Sequence, residues 1–344
     1  MSGLANILMA GMLGIVPDLA IENTNIGGYE DLRHTIDYNR LRGDLTLEHE
    51  KYLNWFGKLI VDNETVYTSK PSSLQNKTSI YRAYLQYRGM KHFWSVGKQR
   101  IPLGVGRIWN PIDVFNPIDS EAIETDERVG TDSIRYEYAI SDLSNIDATV
   151  ADGKGAVQVK GYLKYADVGL VGLWDEDANQ YHVEQMLEDQ LFGSWIELPG
   201  EGFRQDIIGW EVEGQLLQTG IELRSEGGSF HNRDTGKRHT EFIVGAEYGF
   251  ANSLTLLAEY NYSDETKIDY LGGIASYQPA MLWFCSLLIV VNLDDHSSFV
   301  APSVEYSLSD DMTLSAGAFI YNGGVNDEFG LVPNRYYLRW FVHF

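Results

Sequence analysis

The chain has 344 residues and carries 26 Lys and Arg against 49 Asp and Glu, a net charge of −23 that argues against a phosphate-binding nucleic-acid surface. Hydrophobic residues make up 44% of it, yet the longest uncharged apolar run, residues 281–291, falls well short of the roughly 18 to 20 residues of a spanning helix. Aromatic residues at 12%, with 21 Tyr and 8 Trp, point to an ordered structure. The single cysteine, Cys285, excludes an internal disulfide and any cysteine-built metal centre.

Residues 1–26 are set apart as an N-terminal apolar segment. The run 7–16 has the length of a signal-peptide core, but no Lys or Arg precedes Arg33, and Asp18 sits close to the cut expected after Ala20. The segment reads either as a signal remnant or as a start displaced from that of the natural gene product. No linker divides residues 27–344, which read as one domain.

Period-two alternation dominates that domain. Tyr81, Ala83, Leu85 and Tyr87 alternate with Arg82, Tyr84, Gln86 and Arg88; Ile134, Tyr136 and Tyr138 alternate with Arg135 and Glu137. Val157 and Val159 alternate with Lys160, Trp210 and Val212 with Glu211 and Glu213, and Phe242, Val244 and Ala246 with Glu241 and Glu247. About seventeen such segments follow from residue 40 to residue 344, most of about 8 to 12 residues. A weak first strand within 27–38 would make eighteen, and sixteen is the alternative. Short turns such as 89–91, 143–144 and 310–311 alternate with longer connections at 102–132, 176–205, 227–239 and 322–334. The fold class expected is therefore all-β, a transmembrane antiparallel up-and-down barrel with short periplasmic turns and long extracellular loops.

The last strand alternates Tyr336, Leu338, Trp340, Val342 and Phe344 with Tyr337, Arg339, Phe341 and His343. It resembles the C-terminal signature of Gram-negative outer-membrane barrels, which implies recognition by the barrel-assembly machinery and a home among outer-membrane lipids and lipopolysaccharide. Residues 97–111, with Asp113, Phe115, Asn116-Pro117 and the run 128–132, look like a segment of porin-like barrels, the alginate-export type included. Alginate exporters have a strongly basic lumen, from which this acidic chain departs, and no substrate is carried over.

With apolar faces toward lipid, a one-residue slip would place charges in the bilayer at about 2 to 4 kcal/mol each, so the polar faces must line the lumen. The sequence then predicts a basic wall of Arg82, Arg88, Arg135, Lys160, Lys164 and Arg339. An acidic wall of Glu211, Glu213, Glu222, Glu226, Glu241, Glu247, Glu259 and Glu305, with Arg224 the exception, is expected opposite it. A transverse field between such walls favours small polar solutes in a water-filled pore. The loop 102–132, with Arg107, Asp113, Asp119, Glu121, Glu124, Asp126, Glu127 and Arg128, is the expected constriction, its carboxylates facing Arg82, Arg88 and Arg135. The other reading of that loop is an extracellular cap.

These features imply a passive diffusion channel for small hydrophilic solutes or ions, against the alternatives of a substrate-selective oligosaccharide channel and a structural or adhesion barrel. The eight histidines are scattered, without GxSxG or HExxH, so no enzyme is expected; His296 beside Asp294 and Asp295 is the nearest constellation. His182 with Glu184 and His231 with Asp234 are weak metal pairs better read as surface residues, so neither a metal site nor a cofactor is expected. Cys285 reads as a small hydrophobe, and a homo-oligomer is compatible with the sequence without being required by it.

Overall fold

The structure is a computed structural model that describes residues 14–28, 35–48, 54–69, 72–116, 128, 130–178 and 203–344. These residues form eighteen strands. The first nine are β1 (Gly14–Gly28), β2 (Thr35–Glu48), β3 (Trp55–Ser69), β4 (Ser72–Arg88), β5 (His92–Gln99), β6 (Thr131–Ser141), β7 (Ser144–Ala151), β8 (Lys154–Leu163) and β9 (Ala166–Ala178). The second nine are β10 (Phe203–Gln215), β11 (Ile221–Asn232), β12 (Arg238–Gly249), β13 (Leu254–Ser263), β14 (Ile268–Ala280), β15 (Trp283–Asn292), β16 (Ser298–Ser309), β17 (Met312–Asn322) and β18 (Arg335–His343). Each strand pairs antiparallel with its sequence neighbours and β1 pairs with β18, so the sheet closes into an up-and-down barrel without a free edge.

The expected count of eighteen holds, and all seventeen alternating segments correspond to β2 through β18. The first strand does not lie where expected. It is Gly14–Gly28, all but its last two residues inside the segment set apart as N-terminal, and a cut after Ala20 would run through it. Its inward Glu22 and Thr24 meet Arg339 of β18 and Arg40 and Tyr38 of β2, lateral partners that no local pattern announces. The expected loop 227–239 is also largely strand, since β11 runs to Asn232 and β12 begins at Arg238. Residues 1–13 and 179–202 lie outside the described residues.

Register sorts the side chains, because directly opposed residues share a face of the sheet. Leu41, Leu59, Leu85, Ile134, Val150, Val159, Leu170, Val244, Leu256, Leu271 and Leu338 point outward and are exposed over the whole circumference. An apolar surface of that extent suits a lipid environment rather than water. Cys285, opposite Val304 and Tyr277, belongs to this outer face. Tyr81, expected on it, does not: a bulge after Ile60 shifts the β3–β4 register, and Tyr81 lies beneath the guanidinium groups of Arg42 and Arg82, 4.3 and 4.4 Å from its ring centre. The end of β18 meets β1 at the rim of short turns, where Phe344 exchanges backbone hydrogen bonds with Leu19, and the connection 100–130 leaves the opposite rim.

Candidate functional site

The segment 100–116 between β5 and β6 turns into the barrel and packs along its inner wall. Ile101, Leu103, Ile112 and Phe115 are buried against Ala156, Val171, Leu173, Ile207 and Phe230, on β8 through β11. Ile108 and Trp109 continue onto Leu257, Leu288, Val290, Phe299, Phe319 and Tyr321, on β13 through β17. Each such side chain contributes about 1.5–3 kcal/mol on burial, which holds the segment against the wall rather than over the mouth. On this stretch the extracellular-cap reading fails. Gly272 of β14 makes room for it: a Cβ there would stand 2.7 Å from the Trp109 ring.

Polar contacts lock the same segment. The Gly104 N–H donates to Glu211 (2.9 Å), the N–H groups of Val105 and Gly106 donate to one oxygen of Glu226, and those of Arg107 and Ile108 donate to the two oxygens of Glu259, both at 2.8 Å. Five successive backbone donors thus meet three carboxylates from β10, β11 and β13, a concave array of N–H groups of the kind that binds anions. Gly104 carries φ +76, and a Cβ on it would lie 2.3 Å from a Glu226 oxygen, so glycine is required here both for backbone conformation and for the approach of the carboxylate. Asn110 closes the turn by donating to the Leu103 carbonyl (2.8 Å).

Asp113 serves the segment itself. It accepts the N–H groups of Phe115 and Asn116 and pairs with Arg128 at 2.9 Å. Burial pushes its carboxyl up, to about 7, against the opposing pull of the Asn116 N–H and Arg128. Of the other charges expected at the constriction, Arg107 is half exposed and reaches Glu213 at 3.4 Å, whereas Asp119, Glu121, Glu124, Asp126 and Glu127 lie outside the described residues. Of the expected constriction carboxylates, Asp113 is the one among the described residues, and it pairs with Arg128 rather than with Arg82, Arg88 or Arg135. Asp113 is turned inward on its own loop, and the segment lies on the acidic wall, where Glu211, Glu226 and Glu259 accept its backbone donors.

The walls themselves differ from two opposed sheets of charge. Arg82, Arg88, Arg135, Lys160 and Arg339 are on inward positions, but Lys164 is in the β8–β9 turn with φ +56, its ammonium over the Tyr165 ring. Most of the inward cations are matched within or beside their own strands: Arg339 and Arg40 with Glu22 (2.8 and 2.5 Å), Arg42 with Asp62 (2.7 Å), Lys58 with Asp44 (2.6 Å), Arg135 with Asp147 and Glu137. Lys160 reaches Glu211 at 2.6 Å, Arg82 donates to the Arg128 carbonyl, and Arg88 donates to Gln86 and lies over the Phe56 ring. The sequence reading missed the carboxylates among them, Glu22, Asp44, Asp62 and Glu64, although Lys58-Ile60-Asp62-Glu64 already shares one parity.

On the acidic side every named glutamate occupies an inward position, but the roles separate. Glu211, Glu226 and Glu259 are buried holding the loop. Arg224, with no exposed side-chain surface, gathers Glu247 (2.7 Å), Glu213 (3.3 Å), Glu222 (3.7 Å) and Glu259 (3.8 Å) around one guanidinium. Glu241 accepts from Ser263 (2.9 Å), and Glu305 stands inward opposite Phe284 and Ser315. Near the short-turn rim the side chains of Glu222, Lys160 and Glu213 stay accessible, 46%, 38% and 30% exposed. On the closing strand, Tyr336, Leu338, Trp340 and Val342 all face outward.

The other sequence candidates stay apart. His231 lies 3.8 Å from Asp206, while Asp234 instead accepts from Arg204, so the pair His231–Asp234 does not form; His182 and Glu184 are outside the described residues. Asp294 and Asp295 accept backbone N–H groups of Asp269, Ser297 and Glu328, and His296 sits at φ +64 in the same turn.

No family model matches the chain, and no curated protein sequence matches it. Its fold does have solved counterparts. OccAB2 of Acinetobacter baumannii is 8% identical with a TM-score of 0.60, covering 96% of this chain and 98% of that one. OccK5 (OpdH) of Pseudomonas aeruginosa is 8% identical with a TM-score of 0.61, over 96% and 97%. A triple mutant of the Rhodopseudomonas blastica porin is 11% identical with a TM-score of 0.52, over 96% and 100%. The chain thus has a porin-like barrel fold over nearly its whole length. The narrower resemblance of residues 97–132 to alginate exporters gains no support from these likenesses.

Proposed function

We propose that this protein is a passive channel of the Gram-negative outer membrane for small hydrophilic solutes or ions, narrowed from within by the segment 100–116. The observation that carries this reading is the asymmetric lumen. The loop is latched to the β8–β17 side, so the wall from β18 through β6 keeps its ion-paired charges facing the barrel interior. Accessible Glu213, Glu222 and Lys160 supply a wet, net acidic vestibule at the short-turn rim. The outer apolar band fits membrane lipids and lipopolysaccharide, and the outward set ending at Phe344 fits reading by the barrel-assembly machinery.

The burial of Arg40, Asp62 and Arg82 at mid-height favours a second reading, a barrel occluded there. Single-channel recording of the refolded protein under a salt gradient separates the two. The channel reading expects discrete conductance steps with cation preference, altered by Arg82→Ala and Arg135→Ala and by removal of residues 107–128. Silence from a correctly folded, heat-modifiable barrel refutes it and leaves the occluded barrel.

A further inference from the structure

A second cluster of functional side chains lies at the rim opposite the short turns, where Glu241 of the acidic wall meets two residues not yet given a role. His239 and Glu241 are inward residues of β12, and Glu265 stands in the turn between β13 and β14. The His239 Nε2 lies 3.3 Å from one Glu265 oxygen and 3.6 Å from one Glu241 oxygen, and the three atoms fall within 4.8 Å of one another. Four donors about 2.1 Å from a common centre in tetrahedral arrangement are separated by about 3.4 Å, so the two nitrogen–oxygen distances already match ligands of one ion.

Two further contacts act as supports. The His239 ring stacks on Phe230, 4.8 Å between centres and 5° from parallel, which fixes the direction of Nε2. Ser263 Oγ donates to Glu241 Oε1 at 2.9 Å, the kind of outer hydrogen bond that orients a ligating carboxylate. Glu265 is exposed, so an ion can enter from outside without moving the barrel. One imidazole nitrogen with two carboxylate oxygens suits first-row divalent metals such as zinc better than magnesium or calcium, which prefer oxygen alone.

We infer that His239, Glu241 and Glu265 form a divalent transition-metal site at the mouth of the barrel, three protein ligands with a fourth position left to water or to a solute donor. The inference does not depend on the lumen being open. It is tested by calorimetric titration of the refolded, heat-modifiable barrel with zinc chloride at neutral pH. One saturable site per chain is expected, with affinity reduced at least about tenfold by His239→Ala and by Glu265→Gln. Glu265→Gln, in an exposed turn, leaves the barrel intact whatever His239→Ala does to the packing of Phe230. No saturable binding, binding that survives both substitutions, or calcium binding as tight as that of zinc would each overturn the assignment.

Discussion

Glu259→Ala tests whether the inward loop is held by carboxylates. The residue is buried and accepts the N–H groups of Arg107 and Ile108 at 2.8 Å. Hydrogen bonds to a charged acceptor are worth about 1.5–3 kcal/mol each, so losing both costs the seated loop about 3–6 kcal/mol. At 1.4 kcal/mol per factor of ten, the ratio of seated to released loop falls by about two to four decades. The apolar seat of Ile101, Leu103, Ile112 and Phe115 and the latches to Glu211 and Glu226 remain, so the barrel itself stays folded. A protease needs several extended residues and cannot enter the lumen, so trypsin cleavage after Arg107 reports release. Its rate is expected to rise by the same two to four decades while the folded barrel keeps its gel mobility. A rise below tenfold would mean that packing alone holds the loop, and the latch reading would fail.

Three further outcomes follow from the same contacts. Arg224→Ala leaves Glu213, Glu222, Glu247 and Glu259 without their shared cation, at a cost of about 3–5 kcal/mol, seen as a lower temperature for loss of heat-modifiable mobility; an unchanged temperature contradicts the hub. The seated loop holds Asp113 with its carboxyl raised from 3.8 to about 7, so it binds a proton that the released loop gives up between roughly pH 4 and 7. The seat therefore weakens as pH rises through that window and changes no further above it. Loop-dependent current noise should grow from pH 5 to 8 in the parent and stay flatter in Asp113→Asn, and the opposite slope would refute the sign. Leu338→Arg, on an exposed outward position of β18, should destabilise the membrane-inserted barrel by about 2–4 kcal/mol in denaturant titration, and a neutral effect would place β18 outside the lipid band.

The carboxylate latch was only half visible beforehand. Glu211, Glu226 and Glu259 all stand at the inward parity of alternating strands, and Gly104-Val105-Gly106 is a short glycine-flanked run, but nothing within either segment shows that they meet across more than a hundred residues. Lys164 shares the parity of Lys160 yet sits past the end of β8, and Tyr81 changes face because a bulge in the pairing, not its own neighbours, sets its direction.

The sequence alone determined the all-β class, the strands β2 through β18, the inner and outer faces of most of them and the outward aromatic set of the closing strand. It did so because a strand's side chains alternate with a period of two, a property of consecutive residues that needs no partner. The tertiary structure alone decided the position of β1, the lateral pairing that turns a basic wall into an ion-paired one, and the side of the lumen on which the loop lies. These depend on barrel closure and on which acceptors stand opposite which donors, and both are settled by contacts between segments far apart in the chain.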